Sequence, residues 1–174
     1  PEPIKIKEVK KHVLGVGAEL NVTSCIILKD KAFLTQHIGN VENLETLRFL
    51  EEATKHLIKL TKSEIDCIAC DLHPTFNTTR FAFKLSEEMN APVFKIQHHH
   101  AHVAKLMAEY SVDEIIGIVC DGFGYGVDGK AWGGEILYCV GKEFQRLGHL
   151  ETHAMIGGDL ATKYPLRMVA GILK

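Results

Sequence analysis

The chain has 174 residues, 46% hydrophobic and 24% charged, enough apolar material for a sizeable core and too much for a disordered segment. Its 20 Lys and Arg against 22 Asp and Glu give a formal net charge of −2 with no dense basic block, which speaks against a nucleic-acid or membrane-surface binder. No stretch approaches 18 uninterrupted apolar residues, and the opening "PEPIKIKEVKK" lacks a signal-peptide pattern, so the expected location is the cytoplasm.

In chain order, "HVLGVGAEL" is an apolar run reaching Gly15, Gly17 and an acid, Glu19, and "TSCIILKD" and "KAFLTQHIG" follow as two further strands. A three-stranded meander is predicted. "NVENLETLRFLEEATKHLIKL" repeats Leu44, Leu47, Leu50, Ala53, Leu57 and Leu60 at spacings of three and four, the signature of a helix, with Asn40 or Asn43 as its cap. "IDCIACDLHP" reads as a buried strand closed by Pro74, "NTTRFAFKLSEEMN" as a helix capped near Asn77, and "PVFKI" as another short buried strand. The Cys67–Cys70 spacing matches zinc knuckles, but its place inside an apolar strand favours small buried hydrophobes, and a disulfide framework is not expected of the five cysteines.

"QHHHAHVAKLMAEY" follows as a helix, and "EIIGIVCDGFGYG", "WGGEILYCV" and "FQRLGHLETH" then repeat the opening meander about 100 residues later. Strands alternating with helices after a meander imply an α/β fold with a mixed sheet, built from a duplicated unit. After the second meander comes only "GGDLATKYPLRMVAGILK", the start of a helix, so the second copy is expected to be incomplete. The predicted division places residues 1–112, with the His-rich helix, in a first lobe and 113–174 in the second.

Four histidines, His98, His99, His100 and His102, crowd the start of that helix. At about 100° per residue, His98 and His102 lie roughly 40° apart, one turn above the other, where they can share an ion. His99 falls in the core-facing stripe and His100 points elsewhere. Asp121 ends an apolar strand, where a carboxylate is costly unless it faces a cleft or binds a cation. Two imidazoles and a carboxylate leave open coordination positions, suited to non-haem iron and tolerable to zinc. Gly122, Gly124, Gly126 and Gly129 permit positive φ and close backbone approach to a ligand, although glycines in a hairpin commonly only make the turn. Asp71 and His73 could reach the same cleft, or Asp71 could simply form the turn before Pro74.

Taken in order, "GAELN", "QHIGNVENLET", "CDLHP", "QHHHAH", "DGFGYGVDGKAWGGE" and "GGD" resemble the HypF family of hydrogenase maturation carbamoyltransferases along essentially the whole chain. The part resembled is the start of the family's C-terminal carbamoyl-transfer module. The resemblance implies a duplicated ribonuclease-H-like fold of the actin and sugar-kinase type, here the first lobe plus the start of the second. It implies an ATP-dependent enzyme that turns carbamoyl phosphate into a carbamoyl adenylate and passes the carbamoyl group to the C-terminal cysteine of HypE, for the cyanide ligand of [NiFe]-hydrogenases. By the same resemblance His98, His102 and Asp121 are ligands of iron or zinc, and Gly17, Glu19, Gly122, Gly124 and Gly126 flank the nucleotide phosphates. No catalytic residue is assigned beyond the metal site; the attacking thiolate comes from the partner. Phe123 departs from the D-G-T-G-Y-G form of the ligand loop. The chain is expected to be part of a longer enzyme and not to catalyse the overall reaction alone. Two other readings compete: a non-catalytic half-site that binds nucleotide or a partner, and a relative of the tRNA threonylcarbamoyladenosine synthases, disfavoured by the absence of a basic face.

Overall fold

A computed structural model describes residues 2–173. Its first sheet begins with β1 (Ile4–Lys5), β2 (Val13–Gly15), β3 (Cys25–Leu28) and β4 (Lys31–Leu34). β2, β3 and β4 form the predicted antiparallel meander, with Lys29 in the left-handed region at the tight turn between β3 and β4. α1 (Leu44–Thr61) starts at Asn43, whose side chain accepts from the Thr46 N–H at 2.9 Å, and ends at Lys62 in the left-handed region. Its spacing of apolar residues buries Leu50, Ala53 and Leu57, while Leu44 and Leu60 overhang the ends and remain exposed.

β5 (Cys67–Asp71), α2 (Asn77–Met89) and β6 (Val93–Ile96) complete the sheet in the order β1-β4-β3-β2-β5-β6, with β2, β5 and β6 parallel. Leu14, Ile26, Ile68, Phe81 and Leu85 form the core between this sheet and α1 and α2. Cys67 and Cys70 are buried in β5, and all five cysteines are free, as the apolar context predicts. Two local expectations are corrected. The first turn of α2 is capped not by Asn77 but by Glu19, which accepts from the Asn77 N–H and from its Nδ2, both at 2.9 Å. β6 is a half-exposed edge with Phe94 in solvent, not a buried strand.

α3 (His98–Tyr110) begins one residue after β6. A second meander follows: β7 (Glu114–Val119), the short β8 (Gly124–Tyr125) and β9 (Ala131–Trp132) as a separate hairpin, then β10 (Glu135–Val140) and β11 (Glu143–His149). β7, β10 and β11 pair antiparallel in the order β11-β10-β7, repeating the topology of β2, β3 and β4. Gly133 and Gly134 split the stretch read as one strand, "WGGEILYCV", into β9 and β10, Gly134 adopting φ +63°. Two short helices, α4 (Leu160–Lys163) and α5 (Leu166–Ile172), close the chain on either side of Pro165.

α3 reaches both sheets. Its first turn stands at the ends of β5 and β6, whereas its buried Val103 and Met107 pack with Val119, Trp132, Leu137 and Cys139 of the second sheet. Gly117 of β7 lies directly beneath Val103, and a Cβ there would collide with it. Chain order groups α3 with residues 1–112, but its apolar face belongs to the second core. No helix among the described residues is long and apolar enough to cross a membrane.

Candidate metal centre

The three parallel strands all point their carboxyl ends at one spot, the usual location of ligand sites in open α/β sheets. A cavity of about 300 Å³ opens there, walled by Gly15 at the end of β2 and Gly17 and Ala18 just after it, by Ala69 to Asp71 of β5, and by His98, His102 and Lys105 of α3. Because Asp71 and Ile96 are register partners and only Gln97 separates Ile96 from α3, His98 is delivered to the end of β5. Its Nδ1 lies 2.6 Å from Asp71 Oδ2. Asp71 also accepts the His73 N–H at 2.8 Å, so it both forms the turn and reaches the cleft.

With Nδ1 engaged, His98 presents Nε2 to the cleft, 2.8 Å from Asp121 Oδ2, and His102 Nε2 is 3.6 Å from the same oxygen. One donor atom from each of His98, His102 and Asp121 lies within 4.8 Å of the others. Ligands held about 2.0–2.2 Å from a tetrahedral zinc ion stand roughly 3.4 Å apart, so the three side chains are close enough to share a cation. Asp121 is set for this by its own backbone: Oδ1 accepts the Gly122 N–H at 2.9 Å, leaving Oδ2 toward the imidazoles. Asp71 holds the His98 pKa above its ordinary 6.5 through the hydrogen bond to Nδ1, burial opposing and the nearby carboxylate charges adding to the rise. A carboxylate behind a ligating histidine is the recurrent arrangement that fixes ring and tautomer at metal sites.

The other two histidines point away from the cleft. His99 is fully buried, with Nδ1 3.1 Å from Gln97 Nε2. His100 lies against Phe144 of β11, ring centroids 4.6 Å apart. Burial lowers the pKa of both. Gln97, unremarked in the sequence, caps α3 by accepting the His100 N–H at 2.8 Å.

The glycines and the acid expected beside phosphate divide by role. Gly17, at φ +80°, lines the cavity. Glu19 is committed to the first turn of α2. Of the four glycines in the 122–129 stretch only Gly129 has positive φ, and only Gly124 and Gly126 serve close approach. A Cβ at Gly124 would come 2.6 Å from His99 Cε1 and 2.9 Å from His98 Cβ, and one at Gly126 would strike Trp132, whereas Gly122 faces open space. Four cysteines, Cys25, Cys67, Cys70 and Cys139, are held as thiols by burial, Cys25 pushed up to about 11.

Residues 8–109 match the family model described as the HypF Kae1-like domain, and residues 117–174 the one described as the carbamoyltransferase, Kae1-like domain, second subdomain. The Methanocaldococcus jannaschii protein named Probable carbamoyltransferase HypF is 48% identical over 99% of this chain, which spans 23% of that protein. The crystal structure of T. kodakarensis HypF superimposes with TM-score 0.91 at 43% identity, and that of a full-length HypF in the phosphate- and nucleotide-bound form with TM-score 0.90 at 37%. Each covers 99% of this chain, which spans 23% of either one. The agreement carries the expected fold class, α/β with a duplicated unit, with it.

Proposed function

The chain belongs to the HypF carbamoyltransferase family, and from that premise we propose that it forms the metal-bearing part of a carbamoyl-transfer site. In this reading His98 Nε2, His102 Nε2 and Asp121 Oδ2 hold a divalent iron or zinc ion, with Asp71 orienting His98. The observation that carries it is the convergence of those three donors beside a glycine-walled cavity at the carboxyl ends of the parallel strands. A cation there supplies Lewis acidity toward a carbamoyl or phosphoryl oxygen. The backbone around Gly17 gives close access to a phosphate, and Lys105 adds a positive charge at the cavity wall.

The substrates proposed are ATP and carbamoyl phosphate, joined as carbamoyl adenylate; phosphate and nucleotide in the structure of a full-length relative support the class of ligand. The acceptor is a thiolate from a partner protein, HypE through its C-terminal cysteine. The chain's own chemistry agrees with an external nucleophile, since four of its five cysteines are kept protonated by burial. The division into lobes at 112/113 is part of the same proposal, with α3 as the joint between them, and the setting is the cytoplasm.

Metal titration by calorimetry tests the centre. His98→Ala and His102→Ala should each weaken zinc binding at least tenfold, a loss of about 1.4 kcal/mol or more. Asp121→Asn should weaken it with the fold intact, and His100→Ala should leave it near the native value because that ring sits on Phe144. Equal damage from His100→Ala and His102→Ala would overturn the assignment.

A further inference from the structure

Behind the loop that carries Asp121 lies a charged network centred on one buried carboxylate. Glu135, the first residue of β10, is fully buried. Both its oxygens are engaged: Arg146 donates Nε to Oε2 at 2.5 Å and Nη2 to Oε1 at 2.7 Å, and the Gly133 N–H donates to Oε1 at 2.9 Å. Arg146 lies over the Trp132 ring, 4.2 Å from its centroid, and Trp132 Nε1 donates to Asp128 Oδ1 at 2.9 Å. The network ends on the backbone of the candidate ligand loop. The Gly134 N–H donates to the Asp121 carbonyl at 3.0 Å, and Gly133 packs so closely that a Cβ on it would stand 2.6 Å from the Gly122 carbonyl oxygen.

Stability alone is a poor account of such a pair, because well-packed apolar residues commonly replace a buried ion pair without loss. What an apolar pair lacks is direction. The carboxylate fixes the Gly133 amide, and through Gly133 and Gly134 it fixes the peptide on which Asp121 rests. Since Asp121 Oδ1 is tied to the next amide, Gly122, the placement of that peptide is passed straight to Oδ2.

We propose that Glu135, held by Arg146, is a positioning residue for the Asp121 carboxylate, setting its place relative to His98 and His102. The inference rests on reading those three side chains as cation ligands. Its scale should be that of other outer partners of metal ligands, about tenfold to a hundredfold in affinity.

The experiment is a Co(II) titration of the 174-residue chain followed by visible absorption, whose bands report coordination geometry, with Asp121→Asn, Glu135→Gln and Arg146→Lys beside the native sequence. Glu135→Gln is expected to keep a cooperative melt yet bind Co(II) at least about tenfold more weakly and with altered bands. Arg146→Lys, which keeps the charge but loses the fork, should show the same change to a smaller degree. Arg146 is part-exposed, so that variant decides the matter should Glu135→Gln fail to fold. A lowered melting temperature with native affinity and native bands, while Asp121→Asn has lost the metal, marks a merely structural pair and overturns the proposal. Native-like binding by Asp121→Asn overturns the ligand reading first, and the positioning role with it.

Discussion

His98 is defined by what stands behind it. Its Nδ1 contact with Asp71 raises its pKa above 6.5, so in the absence of a cation the pair contributes stability that is fully present below about pH 6.5 and lost as pH rises through the raised folded value. A cation at Nε2 must compete with that proton, so its affinity should begin to fall already above pH 6.5 as the solution is acidified. Asp71→Asn keeps the shape and removes the charge. It is expected to cost about tenfold to a hundredfold in metal affinity and to move the bend in log affinity against pH to lower pH; an unshifted bend in calorimetric titrations across pH 5–8 would count against the pairing. The sequence offered Asp71 the cleft or the turn as alternatives; that it fills both, and stands behind His98, depends on the parallel register that brings β6 beside β5.

At the scale of elements, legibility tracks distance along the chain. α1 could be read from its three-and-four spacing and Asn43, since both signals lie within the helix, and the Cys67–Cys70 strand from its unbroken apolar run. The start of α2 near Asn77 was legible, but what caps it was not: Glu19 lies far back in the chain after β2. The Glu135–Arg146 pair was hidden likewise, because it depends on how β10 and β11 pair, with an irregularity between Ile136 and Leu137. Two substitutions test these contacts. Glu19→Ala should cost about 0.5–2 kcal/mol, the usual loss of a helix cap, in urea unfolding. Gly117→Ala forces a methyl into Val103 where α3 crosses β7, and roughly 1–3 kcal/mol of overpacking should appear as a lower denaturation midpoint. A midpoint unchanged by Gly117→Ala would mean the helix rides further from the sheet than described.

At the scale of the molecule, the second sheet has one face on α3 and the other in solvent, with Ile116 60% and Ile118 74% exposed. The cavity at the metal centre is similarly open, and its volume of about 300 Å³ lies at the small end of ligand sites. The 174-residue chain is therefore expected to bind ATP weakly, since phosphate contacts gain strength only where water is excluded; calorimetry giving a micromolar or tighter Kd would contradict this. The placement of α3 has one more consequence. His98 and His102 stand on a helix and Asp121 on the far side of a strand, so an ion held by the three acts as a reversible cross-link that closes the segment from 98 to 121 and penalises the unfolded chain, which lacks the assembled site. By mass action, free metal at one hundred times its Kd should add about 2.7 kcal/mol of folding stability, making the melting temperature rise with metal concentration in the native sequence and rise distinctly less at the same concentrations in His98→Ala.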